Sequence, residues 1–566
     1  MTIALVLAAL LQATPLPSPA PVTPAPSPSA APSLSPAGSP LPEGSPSAVP
    51  STVPAPALAV APNAVNFHPG EAQTLSVSGA NGALSAAIDV PVATLTVDQN
   101  ARTVTVSSTQ QTGRALVTVT DGTGASVQVP VRVAFNAASV PANLTLRITG
   151  DAVDPQWLQA QVSRAVQKVV QTQPGVRAQL GAFALPQLLA PGASADVPVP
   201  IQAAGGDQYF DVNTVTTVSV QNVNVAPFDP PLLFYDDDPE KVIANGVLYR
   251  NRVAANSPAR LYYYHQNSGE QRRIVVVLTP EQPNDPATVQ LIDASAGPNI
   301  DVMSVGHAVS RDFLTAKPHN AGIVADVGEL PYVADDFLAS PQDGLAGSIG
   351  INVLSGGPVD VAVVAVPPGV SDAQIAQYVN QPRLPDDGHH RTGAFMLSGY
   401  GQETLSYTVG GDDAFTQYGA TTPPPADGSG RDYGDYGVLR TLTFDVNNPT
   451  NAAATLYLYE QPLGGVVRSS FLVDGQLYQV GCARVSQKYQ IGQPVTVNPG
   501  SSRIVVQTMT DGGSNYPLGV GLTATPPLPQ TPAISAPDGC FPKPQAQPAP
   551  PSPEQGSPTP APSSTP

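Results

Sequence analysis

Asp236-Asp237-Asp238-Pro239-Glu240 crowds carboxylates onto one short stretch, directly after the apolar run Leu232–Tyr235. Hard oxygen ligands gathered on a single loop suit Ca²⁺, so calcium is the cofactor this segment would take. EF-hand spacing is absent, and the same residues also read as the start of a turn or helix. Asp335-Asp336 repeats the theme with fewer groups. A second cluster, Asp386-Asp387-Gly388-His389-His390-Arg391, offers imidazoles and carboxylates to a divalent metal. Neighbours on an extended strand point to opposite faces, so one of His389 and His390 would enter a given site. Further ligands would have to come from His265 or His307; the alternative is a polar turn between domains. Tyr262-Tyr263-Tyr264-His265 and the pair Tyr433 and Tyr436 bring aromatic rings. Exposed, Tyr262, Tyr264, Tyr433 and Tyr436 would stack on sugars and hydrogen-bond through their hydroxyls; half-buried, they would simply pack. Asp511–Pro517 (DGGSNYP) is a Gly-rich loop that serves either as a hairpin connection or as a binding loop.

Recognisable catalytic patterns are missing: no GxSxG elbow, no HExxH, no Walker A loop and no GxGxxG opening a helix. No catalytic residue is named on this basis, and a non-enzymatic role is favoured. The alternative is an enzyme acting on extracellular polysaccharide with paired carboxylates from residues 196–526, although no spacing selects a pair, or a carbohydrate-binding protein using the same region.

Composition narrows the partners. Lys plus Arg number 24 against 42 Asp plus Glu, a formal net charge of −18 over 566 residues. Such a chain gains little from releasing counterions off phosphates, which excludes nucleic acid. Low charge density and 66 prolines exclude a coiled coil. Residues 1–13 contain the apolar run Ile3–Leu11, short for a bilayer span and suited to the core of an export signal, though without the usual basic start. No later run reaches transmembrane length. In an exported chain the two cysteines, Cys482 and Cys540, are expected to pair.

The elements that must position these groups are mostly strands. Residues 14–57 form a Pro/Ala/Ser spacer and 527–566 a tail of the same composition, both expected to lack a core. Period-two alternation in Thr74–Val77, Ala93–Val97, Thr103–Val106, Ala115–Thr120 and Ser126–Val133, with turns between, predicts a β-sandwich over 58–135. The segments PGEAQTLSVSG, VATLTVDQNARTVTVSS and GRALVTVTDGTGASVQVPVRV resemble a bacterial immunoglobulin-like domain of the kind found in surface adhesins. That resemblance implies a structural module. Over 136–195 a small α/β unit is expected, with Asp154 capping a helix 155–171 and Trp157 packing on it. Two further sandwiches are expected over 196–380 and 381–526, or two lobes of one unit. Stretches such as LLFYDDDPE and VQTMTDGGSNYP resemble uncharacterised secreted bacterial β-rich proteins, which implies no activity. The expected architecture is mainly β: sandwiches in series, one α/β unit and disordered Pro-rich termini. The expected role is an exported surface or periplasmic structural or adhesion protein whose partners are cell-surface glycans or proteins, with a metal-binding surface module as a further alternative.

Overall fold

The computed structural model describes residues 56–151, 154–186, 189–388, 390–426, 428, 430–530 and 540. The signal-like segment, nearly all of the spacer, the tail beyond 530 apart from Cys540, and His389 lie outside the described residues. Within them the chain is mainly β, with short helices set among several sheets.

The first body is a sandwich of two four-stranded sheets covering residues 59–133. Alternation places Leu75, Val104, Val106, Val117, Val119, Val129 and Val131 between the sheets, each at most 2% exposed. The polar partners of these residues face out, as a period of two requires.

A second, larger body comes next along the chain. One sheet runs in the order Ala178–Leu180, Ser194–Ala203, Val212–Asn222, Asn143–Thr149, Gly322–Val327, Ala287–Asn299, Gly344–Ser355, Ala259–Asn267, Leu232–Asp236, Gly393–Met396. A four-stranded sheet, Gly246–Val253, Val359–Val366, Arg272–Pro280 and Tyr332–Ala339, covers part of its face. Leu261, Ile274, Val276, Leu291, Ile349 and Val363 fill the space between them. The pairing runs straight through residues 195/196, and across 381–391 the chain stays on the same sheet, at the two places where the sequence suggests boundaries. Asn143–Thr149 lies parallel to Val212–Asn222, and parallel neighbours need a crossover, which includes helix α1 (Pro155–Val169). Gly393–Met396 returns to pair with Leu232–Asp236, so the presumed junction is a loop closing back on this sheet.

Helix α1 forms as its sequence dictates. The Asp154 carboxylate accepts from the backbone N–H groups of Gln156 and Trp157, Pro155 opens the helix, and Leu158, Val162 and Val166 face the sheet. Helix α2 (Val302–Ala316) has no such local signature. Its helix propensity is lowered by Gly306 and by the β-branched Val302, Val305 and Val309. Asp301 caps it, and it packs on strand Ala287–Asn299 on one side and strand Val467–Val473 on the other. A short α3 (Asp372–Val379) carries a Ser371/Gln374 capping box.

The last body, 402–523, holds two five-stranded sheets around Phe444, Leu458, Phe471, Val506 and Leu522. Cys482, on strand Gln476–Ala483, is joined by a disulfide to Cys540.

Candidate functional site

The chemistry-bearing residues picked out by sequence fall largely along the seam between the second and last bodies. Strand Ala259–Asn267 alternates so that Leu261 and Tyr263 face the sandwich interior while Tyr262 and Tyr264 face the seam. There Tyr262 stacks between Tyr235 and Tyr436, at ring separations of 6.0 and 6.2 Å, and Tyr436 meets Tyr516 edge-on. Tyr262 is 2% and Tyr264 7% exposed, so neither offers a ring to a sugar; their role here is packing. Tyr433 does face solvent, with its hydroxyl held by Arg431 at 2.6 Å.

The three consecutive aspartates diverge. Asp236 meets His265 Nε2 at 2.9 Å, while His265 Nδ1 lies 2.9 Å from the Pro239 carbonyl. A carbonyl only accepts, so Nδ1 carries a proton and Nε2 and Asp236 share another. Burial opposes the imidazolium, but the Asp236 charge outweighs it together with the hydrogen bonds, and the His265 pKa is raised. Asp237 accepts from Tyr235 Oη at 2.9 Å and lies 3.7 Å from His390 Nε2; burial holds its carboxyl well above the usual range. Asp238 accepts from the Asp387 N–H at 2.6 Å, and burial raises it to about 6. Asp432 joins this neighbourhood, accepting from the Tyr436 N–H, and is likewise raised by burial. Thus Asp236 is brought to His265, and Asp237 to His390. Among the described residues no three His, Cys, Asp or Glu side chains gather as a metal site.

The Asp511–Pro517 loop also belongs to the seam. A Cβ on Gly306 of α2 would sit 2.0 Å from the Gly512 carbonyl oxygen, so glycine is what lets loop and helix touch. Asp511 meets His307 Nδ1 at 2.8 Å, and Arg468 reaches Asp301 at the start of α2 at 3.2 Å. These groups fasten one body to the other.

The open site lies elsewhere, in a groove of about 990 Å³ lined by Leu146, Arg147, Arg164, Lys168, Tyr332 and Asp335, among others. Its origin is a parting of strands. Asn143–Thr149 pairs with Gly322–Val327 only at Ile148/Ile323 and Thr149/Gly322; beyond that point the strands diverge and α1 roofs the gap. The face of α1 opposite Val162 and Val166 supplies Arg164 and Lys168. Along strand Ala287–Asn299 the interior positions Ala287, Val289 and Leu291 give way to Asp293 and Ser295. On strand Tyr332–Ala339 an extra residue at Ala334 bulges the ladder beside Asp335.

These groups interlock. Asp335 accepts from Ser295 Oγ at 2.6 Å and from Tyr263 Oη at 2.7 Å. One Arg164 nitrogen lies 2.8 Å from Asp293 and 3.8 Å from Asp335. Asp293 keeps one buried oxygen without a hydrogen-bond partner. Burial, then the nearby Asp335 charge, lifts its pKa to about 7 despite Arg164. Around the walls Arg147 pairs with Asp326 at 2.7 Å, and Arg273 grips Asp336 through two bonds of 2.7 and 2.8 Å. Lys168 donates to the Val333 carbonyl at 2.6 Å and sits 4.2 Å above the Tyr332 ring; its pKa is lowered by desolvation. Carboxylate pairs that cleave glycosidic bonds flank the bond at about 5–9.5 Å with space between them. Here Arg164 and Ser295 occupy the space between Asp293 and Asp335, so the pair is arranged to hold Arg164. In the sequence only Asp335-Asp336 hinted at this place.

No family model matches the chain, and no curated protein matches it. Among solved structures it is similar to InvD of Yersinia pseudotuberculosis, at 10% identity over 54% of this chain and 97% of that one, with a TM-score of 0.13. It is also similar to SGBP-B of the Bacteroides ovatus mixed-linkage glucan utilization locus, solved with a mixed-linkage heptasaccharide (11% identity; 53% and 72% covered; TM-score 0.12). The chicken CNTN1 FN1–FN3 domains align at 9% identity, covering 54% and 97%, with a TM-score of 0.11. Superpositions this poor carry no weight for function.

Proposed function

We propose that this chain is an exported structural and binding protein, in which rigidly joined β-sandwiches present the groove beside α1 to a ligand without transforming it. The observation that carries this reading is the groove itself. It is large enough for a small-molecule site and its polar walls are built from several strands and a helix, so its geometry is held by the sandwich core. The disulfide between Cys482 and Cys540 supports an oxidising compartment, as does the Pro-rich composition of the termini for a spacer.

Hydrogen exchange of the intact chain, with and without cell-envelope polysaccharide and protein fractions, tests this. Slowed exchange confined to residues 155–169 and 322–339 is the expected result. Protection centred on Tyr433 or on the first sandwich, or none from either fraction, would remove the groove from the function.

A further inference from the structure

Resting on that reading, we infer that the groove takes an uncharged, polyhydroxylated chain, a neutral oligosaccharide, in preference to an acidic sugar or a peptide strand. The first ground is charge matching. In and just behind the walls, Arg147 is spent on Asp326, Arg164 on Asp293 and Asp335, and Arg273 on Asp336 and Asp372. Lys168 completes the cations. The groove lining carries Arg147, Arg164 and Lys168 against Asp326, Asp335, Asp336 and Asp372, and each of these three cations is already engaged by a carboxylate or a carbonyl. No free cation is left among them for an acidic ligand to neutralise. What remains is an array of fixed donors and acceptors side by side, and hydroxyl groups, each donor and acceptor at once, satisfy both kinds.

The second ground concerns the strand edge. Tyr332–Ala339 is the outer strand of its sheet, and an added peptide strand would need its free carbonyls. Lys168 already takes the Val333 carbonyl, which blunts that edge. The third is the buried Asp293 oxygen without a partner, next to Arg164 and beneath a groove that water or a hydroxyl can enter. Pro331 and Tyr332 add apolar surface to the lining, suited to the C–H face of a sugar.

The test is calorimetric titration of the full chain with neutral hexasaccharides of gluco, manno and galacto configuration, an oligogalacturonate hexamer, and an uncharged decapeptide. Lys168→Ala and Arg164→Ala are titrated alongside, with circular dichroism checking the fold; Lys168→Ala carries the result if Arg164→Ala unfolds. At least one neutral hexasaccharide should bind, its affinity changing less than about twofold between roughly 0.05 and 0.5 M salt. Lys168→Ala should weaken it about tenfold. Binding of the oligogalacturonate alone, falling steeply with salt and with Lys168→Ala, would overturn the neutral-ligand inference while leaving the groove as the binding site. Peptide binding alone would do the same. A neutral sugar that binds equally well to both variants would overturn inference and groove together. Cleavage of a bound neutral sugar would uphold the ligand class and overturn the non-catalytic reading.

Discussion

The seam and the groove draw on the same residue types, aspartate, tyrosine, arginine and a basic nitrogen, and put them to opposite use. In the seam the ion pairs are buried or nearly so and join neighbouring bodies or strands: Asp236 with His265, Asp511 with His307, Asp301 with Arg468. In the groove the pairs Arg147–Asp326 and Arg273–Asp336 keep one side toward solvent. Arg164 spans both conditions, its head bound to buried Asp293 and Asp335 while nearly half its side chain remains exposed. Composition therefore does not distinguish a fastener from an open groove; solvent access does.

pH should have the largest effect on stability, and through both regions, since burial raises Asp293 beside the groove to about 7 as it raises the acids of the seam. Burial raises Glu460, on strand Ala454–Pro462 inside the last body, to about 8, Asp238 to about 6, and Asp237 and Asp432 well above the usual range. A carboxyl raised in the fold stays protonated after its unfolded counterpart has ionised. Its contribution is therefore whole below the unfolded value near 4 and drains away as pH climbs to the folded value. His265, also raised, works in the same direction: its stabilisation is present below the unfolded value and lost as pH rises through the folded one. Urea denaturation at intervals from pH 5 to 8 should show stability falling by several kcal/mol as pH rises. A flat profile would mean that these buried acids find partners that offset their burial. Next in size is His265→Ala, which leaves the Asp236 carboxylate buried and unanswered. It should cost about 3–5 kcal/mol in the same denaturation experiment. Ligand affinity in the groove should be unchanged for the molecules that remain folded.

A smaller loss, about 1–3 kcal/mol, is expected of Gly306→Ala, because the added methyl forces α2 away from the Gly512 backbone. Small-angle scattering should show the last body swinging out, while hydrogen exchange around Arg164 stays as it was. The glycines flanking this contact show what could be read from the residues alone. Gly512-Gly513 signals close approach of something, but the partner helix does not announce itself, since Gly306 and its β-branched neighbours hide α2. Helix α1 is readable because Asp154-Pro155 and the stripe Leu158, Val162, Val166 are all local. The first sandwich is readable because its strands alternate with period two between local turn signals and include hairpins such as Ala93–Asp98 with Thr103–Ser108 and Gly113–Thr120 with Ser126–Val133. The great sheet is not, because Asn143–Thr149 finds its partners at 217–222 and 322–323, and nothing in a strand's own pattern names a distant neighbour. The groove inherits that limit: Arg147, Arg164, Asp293, Asp326 and Asp335 are far apart in sequence and meet only through the pairing.

Lys168→Ala should have the smallest effect on stability and one of the largest on binding, which sharpens the contrast with His265. Lys168 lies on the exposed face of α1 and gives one hydrogen bond to Val333 and one cation–π contact to Tyr332. Alanine has the higher helix propensity, which offsets part of that loss, so the net change should stay within about 0.5 kcal/mol. Freeing the Val333 carbonyl has a second consequence. The edge of strand Tyr332–Ala339 regains an acceptor, so the variant should take up an extended peptide that the wild-type chain refuses. Titration of the uncharged decapeptide into both proteins checks this. Equal refusal by both would show that strand addition is blocked by the shape of the groove, and that Lys168 serves the ligand alone.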